Sequence, residues 1–295
     1  MNKKLLLTLF ILGLLLSCAD KSSQVLGVEG SNILVDSQFI IDAGDDITIV
    51  DYGRKLTDYE NGHIPNSTFI ETSVVWKTVD GINGMLPDPE TVALDLEDAG
   101  ISTEKSVVIY DSGNTLWASR LFWALEYLGH KKVYVLNGGY EEWKKSNRVS
   151  TDFLIPERGI FKVDVQQNLI VNKDWVLKNY NKNNITVVDA RSLNEYNGLD
   201  IRSERGGHIP ESINIDWSNN INSNGYFKSE SELNVIYESL LNSQENVAVG
   251  LCQTGVRGAN TYLALRVMGH ENPSVYDGSW EEWGNDLNTP ISEGV

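Results

Sequence analysis

Short apolar, β-branched runs recur along the chain and alternate with longer stretches whose apolar positions repeat every three to four residues. ITIVD (47–51), SVVIYD (106–111), VYVLNGG (133–139), ITVVDA (185–190), VAVGLC (247–252) and PSVYDG (273–278) read as strands buried on both faces. TLWASRLFWALEYLGH (115–130) and VRGANTYLALRVMGH (256–270) read as helices, each closing on a glycine suited to a C-cap. Strand–helix alternation predicts mostly parallel sheets covered on both faces. The chain opens differently: Lys3 and Lys4, an apolar run from Leu5 to Leu16, then Ser17 and Cys18. That run is short for a membrane span and has the layout of a secretory signal.

The pattern occurs twice. The stretch from Val107 to Trp143 aligns without gaps on the stretch from Val247 to Trp283, at an offset of 140. Gly129 and His130 fall on Gly269 and His270, and Glu141-Glu142-Trp143 on Glu281-Glu282-Trp283. Upstream, IVDYGRKLTDYENGHIP (from 49) parallels VVDARSLNEYNGLDIRSERGGHIP (from 187), with a short insertion in the second copy. A period this long is a domain rather than a solenoid unit. The expected organisation is a signal segment (1–17), a tether (18–34), a first domain (35–149), a linker (150–164) and a second domain (165–295).

Composition narrows the function. The 295 residues carry a formal charge of −17, which argues against nucleic acid as a partner. Removing residues 1–17 takes away two lysines and no acids, moving the charge to −19. Of the two cysteines, Cys18 follows the signal segment; if it carries lipid, Cys252 has no partner for an intramolecular disulfide, a disulfide framework is excluded, and Cys252 is a lone thiol, either buried and inert or reactive.

Its position favours chemistry. Ligands of open parallel sheets gather at the carboxyl ends of strands, and VAVGLC puts Cys252 at such an end. Cys252, Gln253, Thr254, Gly255, Val256, Arg257 and Gly258 form a tight loop entering a helix at about Gly258. Its inward N–H groups, the helix end and the Arg257 guanidinium all favour a thiolate and an anionic substrate. The four histidines do not cluster at metal-ligand spacing, and no metal or cofactor is required.

Several features together carry a family resemblance: the C-x-x-G-x-R loop at 252–257, GHIP at 62–65 and 207–210, VVDAR at 187–191, NGGYEEW at 137–143 and YDGSWEEW at 276–283. The mature chain resembles the tandem-domain rhodaneses, which are sulfurtransferases. The resemblance implies two homologous α/β domains, with a catalytic loop in the second only. It implies that Cys252 takes the outer sulfur of a donor as a persulfide and passes it to cyanide or a thiol. In the first copy, Ser112 and Trp117 stand where Cys252 and Arg257 would be, so that domain lacks both nucleophile and charge. The end of the signal segment resembles a bacterial lipobox, implying lipid attachment at Cys18 and an exported protein anchored to the cell envelope.

Within the family, thiosulfate is favoured over 3-mercaptopyruvate as donor. The loop lacks the neutral run of mercaptopyruvate enzymes, and Glu195 stands where those enzymes resemble one another in a carboxylate-gripping arginine. Glu195 is expected to repel a donor carboxylate, while Arg202 and Arg205 of the insertion keep the alternative open. A cysteine phosphatase is disfavoured because its loop has one more residue between Cys and Arg. A persulfide carrier without turnover is the non-enzymatic alternative, with a protein acceptor that the sequence does not name.

Asp189 and Arg191 are expected to pair and support the loop, with substrate contact as the alternative. Asp277 and Ser279 are expected to brace it. His63 and His208 are expected to fix the GHIP turns, and Trp217 to wall the cleft or fill core. The thiol is expected to be exposed, and to rest as a persulfide that shields it from oxidation.

Overall fold

The computed structural model describes residues 33–238 and 246–294. The signal segment, Cys18 and nearly all of the tether lie outside these residues. Among the described residues no helix is long and apolar enough to cross a membrane.

The first repeat comprises β1 (Leu34–Val35), α1 (Ser37–Ala43), β2 (Ile47–Tyr52), α2 (Leu56–Asn61), β3 (Ser67–Ile70), β4 (Lys77–Val79), β5 (Ile82–Met85), α3 (Pro89–Asp98), β6 (Ser106–Tyr110), α4 (Leu116–Tyr127), β7 (Val133–Leu136) and α5 (Gly139–Ser146). The second comprises β8 (Ile170–Val171), α6 (Lys173–Asn179), β9 (Ile185–Asp189), α7 (Leu193–Tyr196), β10 (Ile213–Asn214), α8 (Glu230–Tyr237), β11 (Val247–Leu251), α9 (Val256–Val267), β12 (Pro273–Tyr276) and α10 (Ser279–Trp283). Two five-stranded parallel sheets result, ordered β1-β7-β6-β2-β3 and β8-β12-β11-β9-β10. The two orders match strand for strand, as expected of a duplication. Leu34, assigned above to the tether, already pairs with Val135 in β1.

The three inner strands of each sheet, β7, β6 and β2 in one and β12, β11 and β9 in the other, form where the β-branched runs predicted them, because both faces there are covered; the short edge strands β1, β3, β8 and β10 had no such run. Helices α4 and α9, equivalent in the repeat, pack against each other between the sheets. One apolar core therefore runs through both domains, from Val50 and Val107 on one side to Val188 and Ala248 on the other. Smaller cores fill the outer face of each sheet, around Trp143 in the first and Trp283 in the second. Beyond the apolar contact, Phe122 lies 6.3 Å from Tyr262, and Glu126 accepts hydrogen bonds from Tyr262 (2.7 Å) and Arg266 (2.8 and 3.0 Å).

The β4–β5 hairpin has no strand counterpart in the second repeat among the described residues. Its turn is Asp80-Gly81, with φ of 52° and 83°. An Asp-Gly pair suits the two-residue turn that matches strand twist, a local signal that hydrophobic periodicity does not carry.

Candidate active site

Cys252 follows β11 directly. Leu251, the last residue of that strand, is in register with Asp189 of β9, so both segments reach the same edge of the sheet. The backbone then turns through Gln253 and Thr254 to Gly255, which precedes α9 with φ of 79°. Glycine is required here twice over. Side chains avoid that φ, and a Cβ would lie 2.7 Å from Arg120 Nη1 and 3.0 Å from Asp277 Oδ1. The helix begins at Val256, where its helical pattern starts and two residues before the entry expected at about Gly258.

The thiol is free but buried, with Cys252 only 1% exposed. This corrects the expectation of an exposed cysteine. Elements from around the fold close on the loop. The Cys252 N–H donates to Ser279 Oγ (3.1 Å), and its carbonyl accepts from the Trp280 N–H (2.9 Å). Gln253 Nε2 reaches Ser203 Oγ in the insertion (2.9 Å) and Glu281 (3.1 Å). From the first domain, Trp76 Nε1 donates to the Thr254 carbonyl (3.1 Å). Among the described residues, no protein acceptor takes the backbone N–H groups of Gln253, Thr254, Gly255, Val256 or Arg257. A strand end followed by such amides and a helix N-terminus is a seat for an anion. Gly258 serves packing, since a Cβ there would lie 3.0 Å from Leu251 Cα and 3.1 Å from the Gly250 carbonyl.

Arg257 is not a free cation. It makes a two-pronged pair with Glu195, at 2.7 and 2.8 Å. Glu195 also accepts from the Ser192 N–H and hydroxyl in a capping box that starts α7, and Arg202 stands 3.3 Å away. Burial alone would raise the Glu195 carboxyl, but the hydrogen bonds and charge of Arg257, then those of Ser192, hold it at about 2. Glu195 therefore neutralises Arg257 instead of presenting a bare charge to a donor, which revises the role expected for both. Arg205 is likewise not aimed at a substrate. It donates to the carbonyls of Trp283, Asp286 and Thr289 and ties down the carboxyl-terminal segment.

Asp189 and Arg191 form a buried ion pair (2.6 Å), and Arg191 also holds the Gly207 carbonyl (2.7 Å) and stacks over Trp280. Asp277 is held from the first domain by Arg120 (2.6 Å) and by the Leu86 N–H (2.7 Å). His63 and His208 each bond a carbonyl with Nδ1, of Tyr59 and Tyr196, and stack on that same tyrosine. Trp217 is half-buried in a short helical turn, Trp217–Asn220. Among the described residues no cluster of three or more His, Cys, Asp or Glu stands ready for a metal.

Residue patterns hid three features. Arg54 sits one position later in its repeat than Arg191, yet it pairs with Asp51 (2.6 Å), holds the Gly62 carbonyl (2.9 Å) and stacks over Tyr140. Asp111, equivalent to Leu251, turns its carboxylate into the first-domain loop and accepts the N–H groups of Gly113, Thr115, Trp117 and Ala118. Arg120 is a fully buried arginine inside an apolar helix. Its signal was present: a lone charge in the middle of LWASRLFWALEY.

The rhodanese-like domain family matches residues 39–146 and 172–286, one copy per sheet. The chain belongs to the rhodanese family. A thiosulfate sulfurtransferase of Corynebacterium glutamicum is 33% identical over 264 residues, 84% of this chain and 85% of that protein. The sulfur carrier protein TtuD of Thermus thermophilus is 31% identical across 91% of this chain and 99% of its own. A 3-mercaptopyruvate sulfurtransferase of Escherichia coli K12 is 30% identical over 79% and 84%. A solved structure of EanB, carrying a cysteine persulfide with ergothioneine, superposes with a TM-score of 0.81 at 25% identity, covering 91% of this chain and 72% of that one. The names of these relatives share sulfur transfer and differ in the sulfur compound they name, so the common ground is sulfurtransferase chemistry.

Proposed function

We propose that this rhodanese moves sulfane sulfur from thiosulfate to cyanide or a thiol through a persulfide on Cys252. The Cys252 thiolate attacks the outer sulfur, the S–S bond of thiosulfate breaks, and sulfite leaves with the bonding pair. The acceptor then attacks the terminal sulfur of the persulfide, forming thiocyanate when it is cyanide and returning the thiolate. A soft thiolate suits this exchange, and the loop amides stabilise thiolate and persulfide alike.

One observation carries the choice of donor. Arg191, Arg202 and Arg257 each already face a carboxylate, leaving the backbone amides to receive an anion. A compact dianion fits that seat, whereas a donor carboxylate would have to displace Glu195 from Arg257. The test is thiocyanate production by the full chain with thiosulfate and 3-mercaptopyruvate in parallel, and Cys252→Ser as control. Cys252-dependent turnover on thiosulfate supports the proposal; a strong preference for mercaptopyruvate overturns the donor assignment. Intact mass measurement of freshly purified protein tests the resting persulfide, which predicts one added sulfur on Cys252.

The burial of Cys252 favours a second reading, a carrier loaded and unloaded by partner proteins. Absence of turnover with both small donors would select it. From the amino-terminal residues alone, we further propose export and a lipid anchor at Cys18. Mass analysis of the amino-terminal peptide from membrane fractions checks this; an intact leader or an unlipidated Cys18 would refute it.

A further inference from the structure

We infer that Arg120, in the first domain, is a positioning residue for the Cys252 loop of the second. This rests on reading Cys252 as the reacting group. Burying a guanidinium is costly unless its donors are used. Arg120 is 0% exposed and spends its donors on two sites at once. Nε and Nη2 bond the Val75 carbonyl (3.1 and 2.9 Å), and Nη2 also bonds the Gly84 carbonyl (3.0 Å). Those carbonyls flank the base of the β4–β5 hairpin. Nη1 bonds Asp277 Oδ1 (2.6 Å), across the domain boundary.

Both sites lead to the loop. The hairpin base carries Trp76, whose Nε1–H holds the Thr254 carbonyl, and Gly84, against which Thr254 packs. Asp277 begins the turn whose Ser279 and Trp280 hold the N–H and carbonyl of Cys252. Gly255 rests on the Arg120–Asp277 pair itself. The guanidinium thus sets the floor under the loop and, through the hairpin, its lid. The equivalent residue of the second repeat is Asn260, uncharged and bonded to Asn220 and Ser119. The duplicated helices have diverged at this position so that one repeat supports the loop of the other. Misplacing reacting groups by about 1 Å costs on the order of a hundredfold in rate, so a floor of this kind shows in turnover rather than in binding.

The experiment compares wild type, Arg120→Met, Arg120→Lys and Trp76→Phe. Glu126→Gln serves as a control that weakens the same domain interface away from the loop. Turnover of thiosulfate and cyanide gives kcat and KM, iodoacetamide alkylation of Cys252 gives a readout independent of the donor, and thermal melts report the interface. The expected result is a kcat for Arg120→Met lower by about ten- to a hundredfold with KM changed less, and an alkylation rate changed by at least about threefold. Arg120→Lys should recover part of both, Trp76→Phe should shift alkylation in the same direction, and Glu126→Gln should lower the melting temperature with kcat intact. Wild-type alkylation and kcat in folded Arg120→Met would overturn the inference. So would a fall in kcat that tracks melting temperature equally in Arg120→Met and Glu126→Gln. If Arg120→Met does not fold, wild-type alkylation in Trp76→Phe overturns it. A wild-type chain without turnover would sink the donor assignment, while the alkylation rates would still decide the role of Arg120.

Discussion

The two repeats build the same strand–loop–helix turn and use it in opposite ways. In the first, Thr115 takes the left-handed conformation before α4 (φ 58°); in the second, Gly255 takes it before α9 (φ 79°). In both, the carbonyl of that residue accepts the N–H four residues on, from Ser119 and Ala259. The first loop is closed by its own anion, since the Asp111 carboxylate accepts four of its amides. Burial pushes that carboxyl up and the four N–H bonds pull it back, leaving it raised. In the second loop the equivalent side chain is Leu251, which packs in the core, and the amides have no protein acceptor among the described residues. An anion seat is thus a property of the backbone turn, and one side chain at the strand end decides whether it is filled from within.

The largest test of that contrast removes the thiol proposed as nucleophile. Cys252→Ser should lower sulfur transfer by more than about a thousandfold without a change in the melt, because a hydroxyl cannot carry sulfane sulfur. Next, Leu251→Asp would copy the first loop into the second. The new carboxylate should fill the seat and cut turnover about a hundredfold, with thiosulfate no longer protecting Cys252 from alkylation. The reciprocal change, Asp111→Ala, should leave activity nearly intact but cost about 3 kcal/mol of stability in denaturant unfolding, with sulfate restoring part of it.

A smaller effect separates the charges. Glu195→Gln should cost about 2 kcal/mol by leaving Arg257 short of a counter-ion, and should move donor preference toward mercaptopyruvate by about tenfold. The same pair sets an acid limit. Glu195 is held at about 2 against an ordinary 4.5. The unfolded chain therefore takes up this proton first, and the contribution, complete above about pH 4.5, is lost as pH falls toward 2. Melts across that range should fall less steeply for Glu195→Gln than for wild type.

Most of the scaffold was legible. The β-branched runs, the repeat at an offset of 140 and the loop after Cys252 are local patterns, and the inner strands with α4 and α9 follow them, whereas the short edge strands and the β4–β5 hairpin left no such periodicity. The charge arrangement was less legible. Arg257 read as a free cation and Glu195 as a bare anion, because nothing in their neighbourhoods along the chain reveals that they pair. Arg54 was invisible as the counterpart of Arg191, since an alignment compares positions while a guanidinium at the end of a long side chain can reach the same carbonyl from the next residue. The buried state of Cys252 also escaped, because the groups that close on it come from the insertion, from α10 and from the other domain.

The sequence by itself determined the strand–turn–helix backbone and placed the lone thiol, Cys252, at its strand end. Strand, turn and helix preferences act over a few residues, and a lone cysteine at a strand end leading into a helix is written in consecutive letters. Only the tertiary structure decided how the charges are spent. Glu195 meets Arg257 across 62 residues, and Arg120 meets Asp277 across 157. Ion pairs form wherever packing brings opposite charges together after the chain has closed long loops, and separation along the chain places almost no constraint on which charges those will be.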